Sequence, residues 1–323
     1  MRDGNLECAI IIVTFNSEKY IAKVIDSVLS FRSSRHGVVV VDNASSDGTL
    51  NIVKSYSAFE KDYIVIGLNS NIGFGRANNV GFSTVKADWY FLLNADAWLI
   101  RNSISPTIEA LRDICVQKKV GVCGIPLIFP DGAPQTFSYS YSSGIKWLLQ
   151  VVQLRRIAQL VIRSRPIRLR LERTRIFGHF IKSQIRKNID LDDPRLSITP
   201  TGIFNEADWV CGAAMFISSG LIDLSGGFDE AIFLYGEDED LCITAKKAGF
   251  DVVWLDTFPV VHVFGWGSNK SSQIVSDYKF NSLLYFIRKH YSGTASGLLM
   301  RLLLSFYVFG ILRTFKNVIN WKK

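Results

Sequence analysis

The chain of 323 residues predicts an α/β fold, a mostly parallel central sheet flanked by helices, on three observations. Apolar runs of strand length alternate with segments whose apolar residues recur at helical spacing through the N-terminal third. The runs are apolar throughout rather than at every second residue, as in strands covered by helices on both faces. They end in polar, glycine-relieved clusters, the turns that parallel strands need before a crossover helix.

In order, CAIIIVTF reads as the first buried strand and SEKYIAKVIDSVLSF as its helix. HGVVVVDNASSDGT gives a strand ending at Asp42, a polar turn, and the start of the helical pattern TLNIVKSY. YIVIGLN is a third strand, followed by a Gly/Asn-rich loop with a helix, and WYFLLNAD is a fourth. Such β-α-β units make a nucleotide-binding type of half-domain, with ligand groups gathered at the carboxyl ends of the strands. Beyond Asp96, SPTIEALRDICVQ reads as a helix and VGVCGIPLIF as a short strand. A basic stretch, about 140–200, then interrupts the pattern as a helical insertion. Order resumes with DWVCGAAMFIS as a strand, and SGLIDLSGGFDEAIFLYGEDEDLCITAKKAGFDVVWL as helix, Gly turn, loop, helix and strand. DYKFNSLLYFIRKHY is an amphipathic helix and GLLMRLLLSFYVFGILRTF a strongly apolar one. On this reading 1–277 carries the sheet with its insertion, and 278–323 the C-terminal amphipathic, membrane-associating helices.

The formal charge of +8 is concentrated, with eleven Lys/Arg and one acid, Glu172, between Arg155 and Lys187. Arg interleaved there with Leu, Ile, Val and Phe suits an anionic membrane surface or a nucleic acid, and a solvated helical face is the bland alternative. The uninterrupted apolar run Leu302 to Leu312 would rise only ~16 Å as a helix against the ~30 Å of a hydrocarbon core, too short to span. Flanking Arg301, Arg313 and Lys316 suit a helix lying in the interface, and burial against the main domain accounts for the pattern equally well. The five cysteines are scattered and include no C-x-x-C pair, which argues for reduced thiols in a cytosolic compartment. Asp3 and Glu7 precede the first apolar run, unlike the basic start of an export signal.

Polar residues cluster at strand ends or in loops: Thr14 and Asn16 in VTFN, Asp42 and Asn43 in VDNASSDGT, Asn71, Arg76 and Asn79 in NSNIGFGRANNVG, Asn94 and Asp96 in LLNAD. A lone carboxylate at a strand end is usually a turn former or a cap. Parallel strands, however, deliver their carboxyl ends to one edge, so these side chains should face a common crevice. A nucleotide needs a carboxylate or amide at base and ribose, a cation near phosphate, and a metal-binding carboxylate at the diphosphate. Asp42, Arg76 and Asp96 supply one of each. In YGEDEDLC four acids, Glu237, Asp238, Glu239 and Asp240, precede a helix. The helix dipole favours acids there, but four exceed what capping requires, and repulsion should raise the proton affinity of one. His262, on the mostly apolar run PVVHVFGWGS, is a satisfied core histidine or a ligand.

Taken in order, VTFN, VDNASSDGT, NxGFGRANN, LLNAD, FLYGEDEDLCITAKKAG and the later His262 resemble the successive signatures of family 2 glycosyltransferases with the GT-A fold. The likeness is to the rhamnosyltransferase-like branch of bacterial surface-polysaccharide enzymes. It covers about residues 8–130 and 205–290 and leaves the basic insertion and C-terminal helix largely outside. The resemblance implies a nucleotide-diphospho-sugar transferase fold, with donor contacts from Thr14, Asn16, Asp42, Asn43, Arg76, Asn79, Asn94, Ala95 and Asp96. The family's metal motif is Asp-x-Asp, and Asn94 stands at its first position here. An Asn carbonyl can still accept a bond from ribose or from a metal-bound water. The burden therefore falls on Asp96, with His262 as the matching second ligand of Mn²⁺ or Mg²⁺. The same resemblance assigns the general base to Asp238, with Glu237 orienting the acceptor and Asp240 capping the helix. DWVCGAAMF resembles the family's strand beside the donor sugar, where Trp209 stacks on a sugar ring or lies in the core, and Gly212 leaves room for backbone approach.

The implied reaction is inverting transfer of a hexose from a nucleotide-diphosphate donor, with dTDP-rhamnose favoured and UDP-galactose or UDP-glucose next. The implied acceptor is a hydroxyl of a lipid-linked or polysaccharide glycan, in O-antigen, capsule or exopolysaccharide synthesis. Lipid-linked acceptors place such an enzyme on the cytoplasmic face of the bacterial inner membrane, peripheral to an anionic surface. A sugar nucleotidyltransferase would need a Gly- and Arg-rich phosphate loop after the first strand, where VTFNSEKY stands, and a dinucleotide-dependent dehydrogenase a G-x-G-x-x-G. A processive membrane synthase would show several spans and a Gln-x-x-Arg-Trp motif. An Arg-rich nucleic-acid-binding protein would leave the acids unexplained, so no nucleic-acid partner is expected. These residues are compatible with a homodimer.

Overall fold

A computed structural model describes residues 6–139 except 59 and 61, together with 202–263, 273–294 and 297. The basic insertion and the apolar C-terminal helix, and with them the membrane expectation, lie outside the described residues. The chain divides into two compact units, Met1–Ser140 with Asn188–Ser282, and Tyr141–Lys187 with Leu283–Lys323. The first unit holds the sheet and every residue of the candidate site.

The N-terminal elements form as their periodicity predicts: β1 (Leu6–Thr14), α1 (Ile21–Phe31), β2 (His36–Asp42), α2 (Thr49–Ser57), β3 (Tyr63–Gly67), α3 (Phe74–Thr84) and β4 (Ala87–Leu93). β1 lies between β2 and β4, parallel to both, and β2 pairs with β3, also parallel. Period-two alternation splits these strands between two cores. Ile10, Ile12, Val38, Val40, Phe91 and Leu93 pack with α1 and with α4 (Ile104–Cys115). Ile11, Val39, Val41, Tyr90 and Leu92 face α3.

The remaining strands depart from the expectation in two ways that matter for the site. VGVCGIPLIF is not one strand: it breaks at Ile125–Pro126, where a ring without an N–H ends the ladder, into β6 (Val120–Gly124) and β7 (Leu127–Ile128). DWVCGAAMFIS likewise divides at Cys211–Ala213 into β11 (Trp209–Val210), paired with β9 (Ser138–Tyr139), and β12 (Ala214–Ser218). β12 enters the main sheet antiparallel to both β4 and β6, so a sheet that is mostly parallel, as the sequence suggests, is interrupted at this one central strand. With β10 (Phe204–Glu206) and β13 (Asp251–Leu255), the order of the eight strands is β10-β13-β6-β12-β4-β1-β2-β3. A second sheet, β5-β14-β7-β8, joins β5 (Ala97–Leu99), β14 (Val260–His262), β7 and β8 (Pro134–Gln135). Three further helices are α5 (Ser219–Ser225), α6 (Glu237–Lys247) and α7 (Gln273–Tyr291).

Candidate active site

Two carboxylate groups reach one edge of the sheet from opposite chain directions. Leu93 ends β4 opposite Ala214, which begins the antiparallel β12. Asn94 leaves that ladder with its N–H on Ala213 O at 2.9 Å, and Ala97 N–H closes a tight turn on Asn94 O at 3.0 Å. Asp96, 9% exposed, is thereby held at the carboxyl end of β4. The same ladder places Cys211–Gly212–Ala213 at the amino end of β12, and so at the same edge.

β14 brings His262 to Asp96. His262 pairs with Ala97, Val263 N–H bonds Asp96 O at 3.1 Å, and His262 Nε2 faces Asp96 Oδ1 at 3.4 Å. On its other side, Nδ1 lies 2.9 Å from Gln135 Oε1. Among the described residues no group of three or more His, Cys, Asp and Glu is arranged around a metal position. The donor set nonetheless fits a hard divalent cation: a carboxylate and an imidazole face each other across one N···O gap, and the side-chain Oδ1 of Asn94 is a buried acceptor with no hydrogen-bond partner.

The second acidic group opens α6. Tyr235 (φ +71°) and Gly236 (φ +99°) turn the chain sharply into a first helical turn that holds all four acids. Asp238 is half-buried, and its carboxylate accepts from Gly212 N–H (Oδ2, 3.1 Å) and Glu239 N–H (Oδ1, 2.9 Å). Glu237 is buried with Oε2 unpartnered. Burial first, and the neighbouring Asp238 charge second, push its carboxyl up to about 8. Burial also raises Asp238, while the Gly212 and Glu239 amides act the other way by stabilising its anion. Asp240 does not cap the helix as expected. The N-cap is Gly236, without a side-chain cap, and Asp240 is a buried residue whose N–H bonds Gly236 O.

Cys211 registers how close the two groups are. Its thiol is pushed up to about 12, by burial and then by the charges of Asp238, Glu237 and Asp96. The connection before β12 links the two groups: Gly212 N–H bonds Asp238, and the next residue, Ala213, accepts from Asn94 N–H. A cavity of about 290 Å³ beside Tyr139, Asp208 and Lys246 contains none of these acids.

The remaining expected donor contacts act largely as braces. Buried Thr14 and Asp42 bond each other (Oγ1 to Oδ1, 2.8 Å), and Asp42 Oδ2 accepts from Ser45 N–H at 3.0 Å. Asn16 (φ +49°) is exposed and accepts from Ser46 N–H at 2.8 Å, clasping the loops after β1 and β2. Asn43 spends its amide on Asn71, Ile72 N–H and Gly73 O, and Asn79 on the backbone of Phe228. Arg76 is exposed and engages Glu230, with Nε donating to its carbonyl at 2.8 Å, in place of the expected approach to the strand ends. Trp209 stacks on Tyr139, ring centroids 4.0 Å apart, so one face of the indole is covered. Ala95 is buried, and Gly212 is buried with its N–H on Asp238. Gln135 and Cys211 also stand here, and no local pattern in the sequence marks either.

Residues 9–153 match Glycosyl transferase family 2. The rhamnosyltransferase WbbL of Escherichia coli strain K12 is 25% identical over 262 residues, 78% of this chain and 82% of that protein. Among solved structures, GalNAc-T7 with UDP, GalNAc and Mn²⁺ superposes with a TM-score of 0.56 at 14% identity, covering 89% of this chain but 48% of that one. Staphylococcus aureus TarS 1–349 in complex with UDP-GlcNAc does so with a TM-score of 0.52 at 16% identity, covering 94% and 72%. The family match spans the strand ends that position Asp96, and the structural likenesses extend over the second half of the sheet. Residues 9–153 are thus similar to family 2 glycosyltransferases, and the chain has a GT-A fold.

Proposed function

We propose that the chain is an inverting, divalent-metal-dependent glycosyltransferase that moves a sugar, rhamnose from dTDP-rhamnose first, to a hydroxyl of a lipid-linked or polysaccharide acceptor in bacterial surface-glycan synthesis. The observation that carries this reading is that Asn94, two residues before Asp96, and Gly212, whose N–H bonds Asp238, leave the β4–β12 ladder at the same end, with His262 facing Asp96. The WbbL likeness supports the choice of rhamnose, and the ligands of the TarS and GalNAc-T7 structures support a nucleotide donor and Mn²⁺.

In this reading Asp96 and His262 hold Mn²⁺ or Mg²⁺, with Asn94 Oδ1 accepting from ribose or from a coordinated water. The cation, when bound, neutralises charge building on the leaving diphosphate. The braced loops of Thr14, Asn16, Asp42, Asn43 and Asn79 keep the nucleotide side of the cleft in shape, and Ala95 and Gly212 leave it room. Asp238 accepts the proton of the attacking hydroxyl, and its carboxylate is aimed by the Gly212 and Glu239 amides. Glu237 orients the acceptor. The hydroxyl oxygen bonds to the anomeric carbon as the bond to the diphosphate oxygen breaks on the opposite face, so configuration inverts.

Asp238→Asn keeps the shape and removes the base. Turnover in a donor-transfer assay should fall ~10²–10⁴-fold with donor affinity nearly unchanged. Unchanged turnover would remove Asp238 from the reaction.

A further inference from the structure

The sequence reading gives Gln135 no role, yet the fold sends it to His262. In IFPDGAPQ the chain reverses at Gly132 (φ +78°), with Phe129 N–H on Ala133 O at 2.8 Å, and returns along β7 as β8. β8 is an edge strand, where Pro134 costs no ladder bond. Gln135 lies opposite Leu127, and Leu127 opposite Val260, so alternation puts Gln135, Leu127 and His262 on one face. The carboxamide reaches across β7 to Nδ1 of His262, with both residues more than nine-tenths buried. A carboxamide oxygen only accepts, so Nδ1 bears the proton, and in the neutral ring Nε2 presents its lone pair towards Asp96. Gln135 Nε2 is buried with no partner, an unfavourable arrangement that a leucine of similar size would avoid. The oxygen alone accounts for a carboxamide here.

We propose that Gln135 is a positioning residue that fixes His262 as the Nδ1–H tautomer, so that Nε2 and the Asp96 carboxylate together present a cation site. Without that acceptor, the ring gains more by protonating Nε2 and donating to Asp96, which closes the site. The inference rests on the proposed reading of Asp96 and His262 as metal ligands.

The test uses the full chain labelled with ¹⁵N-histidine, metal-free, at about pH 8.5, above the ordinary imidazole range. The His262 signals, identified by their loss in His262→Ala, should show a protonated Nδ1 and a bare Nε2. Gln135→Leu should move the proton to Nε2, and Gln135→Glu, which keeps the acceptor oxygen, should leave it on Nδ1. Mn²⁺ binding, followed by electron paramagnetic resonance, should weaken ~10–100-fold in Gln135→Leu and recover in Gln135→Glu. An Nε2–H tautomer in the wild type, or the same tautomer in Gln135→Leu, overturns the proposal. The wild-type tautomer decides by itself if Gln135→Leu does not fold. An Nδ1–H tautomer in a wild-type chain that binds no Mn²⁺ supports the role of Gln135 and removes the metal from the proposed function.

Discussion

Glu237 and Asp238 are neighbours in one helical turn, yet they are held differently. Asp238 has two backbone amides to stabilise its anion, whereas Glu237 is buried with an unpartnered oxygen. Glu237 therefore binds a proton more tightly folded than unfolded, its carboxyl rising from 4.5 to about 8. Its contribution to stability is full below about pH 4.5 and is lost as pH rises through about 8. Glu237→Gln should abolish that loss, melting higher than the wild type at about pH 8.5 by an amount worth a few kcal/mol and no higher at about pH 4.5, while turnover falls. Equal melting temperatures of the two proteins at both pH values would refute this. The crowding of acids in YGEDEDLC was legible in the sequence because it exceeds what a helix terminus needs. The division of labour was not, because Asp238 is set apart by Gly212, 26 positions away. The protein partners of Asn43 and Asn79 were not legible either, since they lie in loops distant in sequence, Asn71 to Gly73 for one and Phe228 for the other.

At the level of elements, α3 and the loop leading to α6 are fastened to each other. Asn79 accepts from Phe228 N–H and donates to Phe228 O, and Phe74 N–H bonds Phe233 O. Gly227 (φ +94°) makes this possible, for a Cβ there would stand 2.3 Å from Asn79 Oδ1. Gly227→Ala should cost about 1–3 kcal/mol in denaturant unfolding and lower turnover as well, because the displaced loop carries Glu237 and Asp238. Gly220→Ala, whose Cβ would meet nothing closer than 3.9 Å, is the control and should be near neutral. Equal stability of both variants would show that the clasp contributes nothing. β1, β2 and β4 were legible because a strand buried on both faces is apolar throughout, and the half-buried edge strand β3 by its β-branched run. The direction of β12 was not, because DWVCGAAMFIS reads the same parallel or antiparallel, and only its pairing between β4 and β6 decides.

For the molecule as a whole, charge and chemistry separate along the sequence. Glu237 and Asp238 open one helix, whereas the basic run between Arg155 and Lys187 lies some fifty or more positions earlier, outside the described residues. A peripheral enzyme acting on a lipid-linked acceptor should float with anionic liposomes at low salt and detach as anionic lipid is replaced by neutral lipid. A chain that stays in solution under those conditions would not be held by its basic segment. No described helix is long and apolar enough to cross a membrane. The account depends most on Asp96 and Asp238 flanking one bound donor, and crystals soaked with a nucleoside diphosphate and Mn²⁺ test this directly. The expected result is a manganese anomalous peak between Asp96 and His262, with the terminal phosphate on the side of Asp238 and space for a hexose between them. Manganese or nucleotide bound elsewhere, or packed protein filling the gap between the two carboxylates, would contradict it.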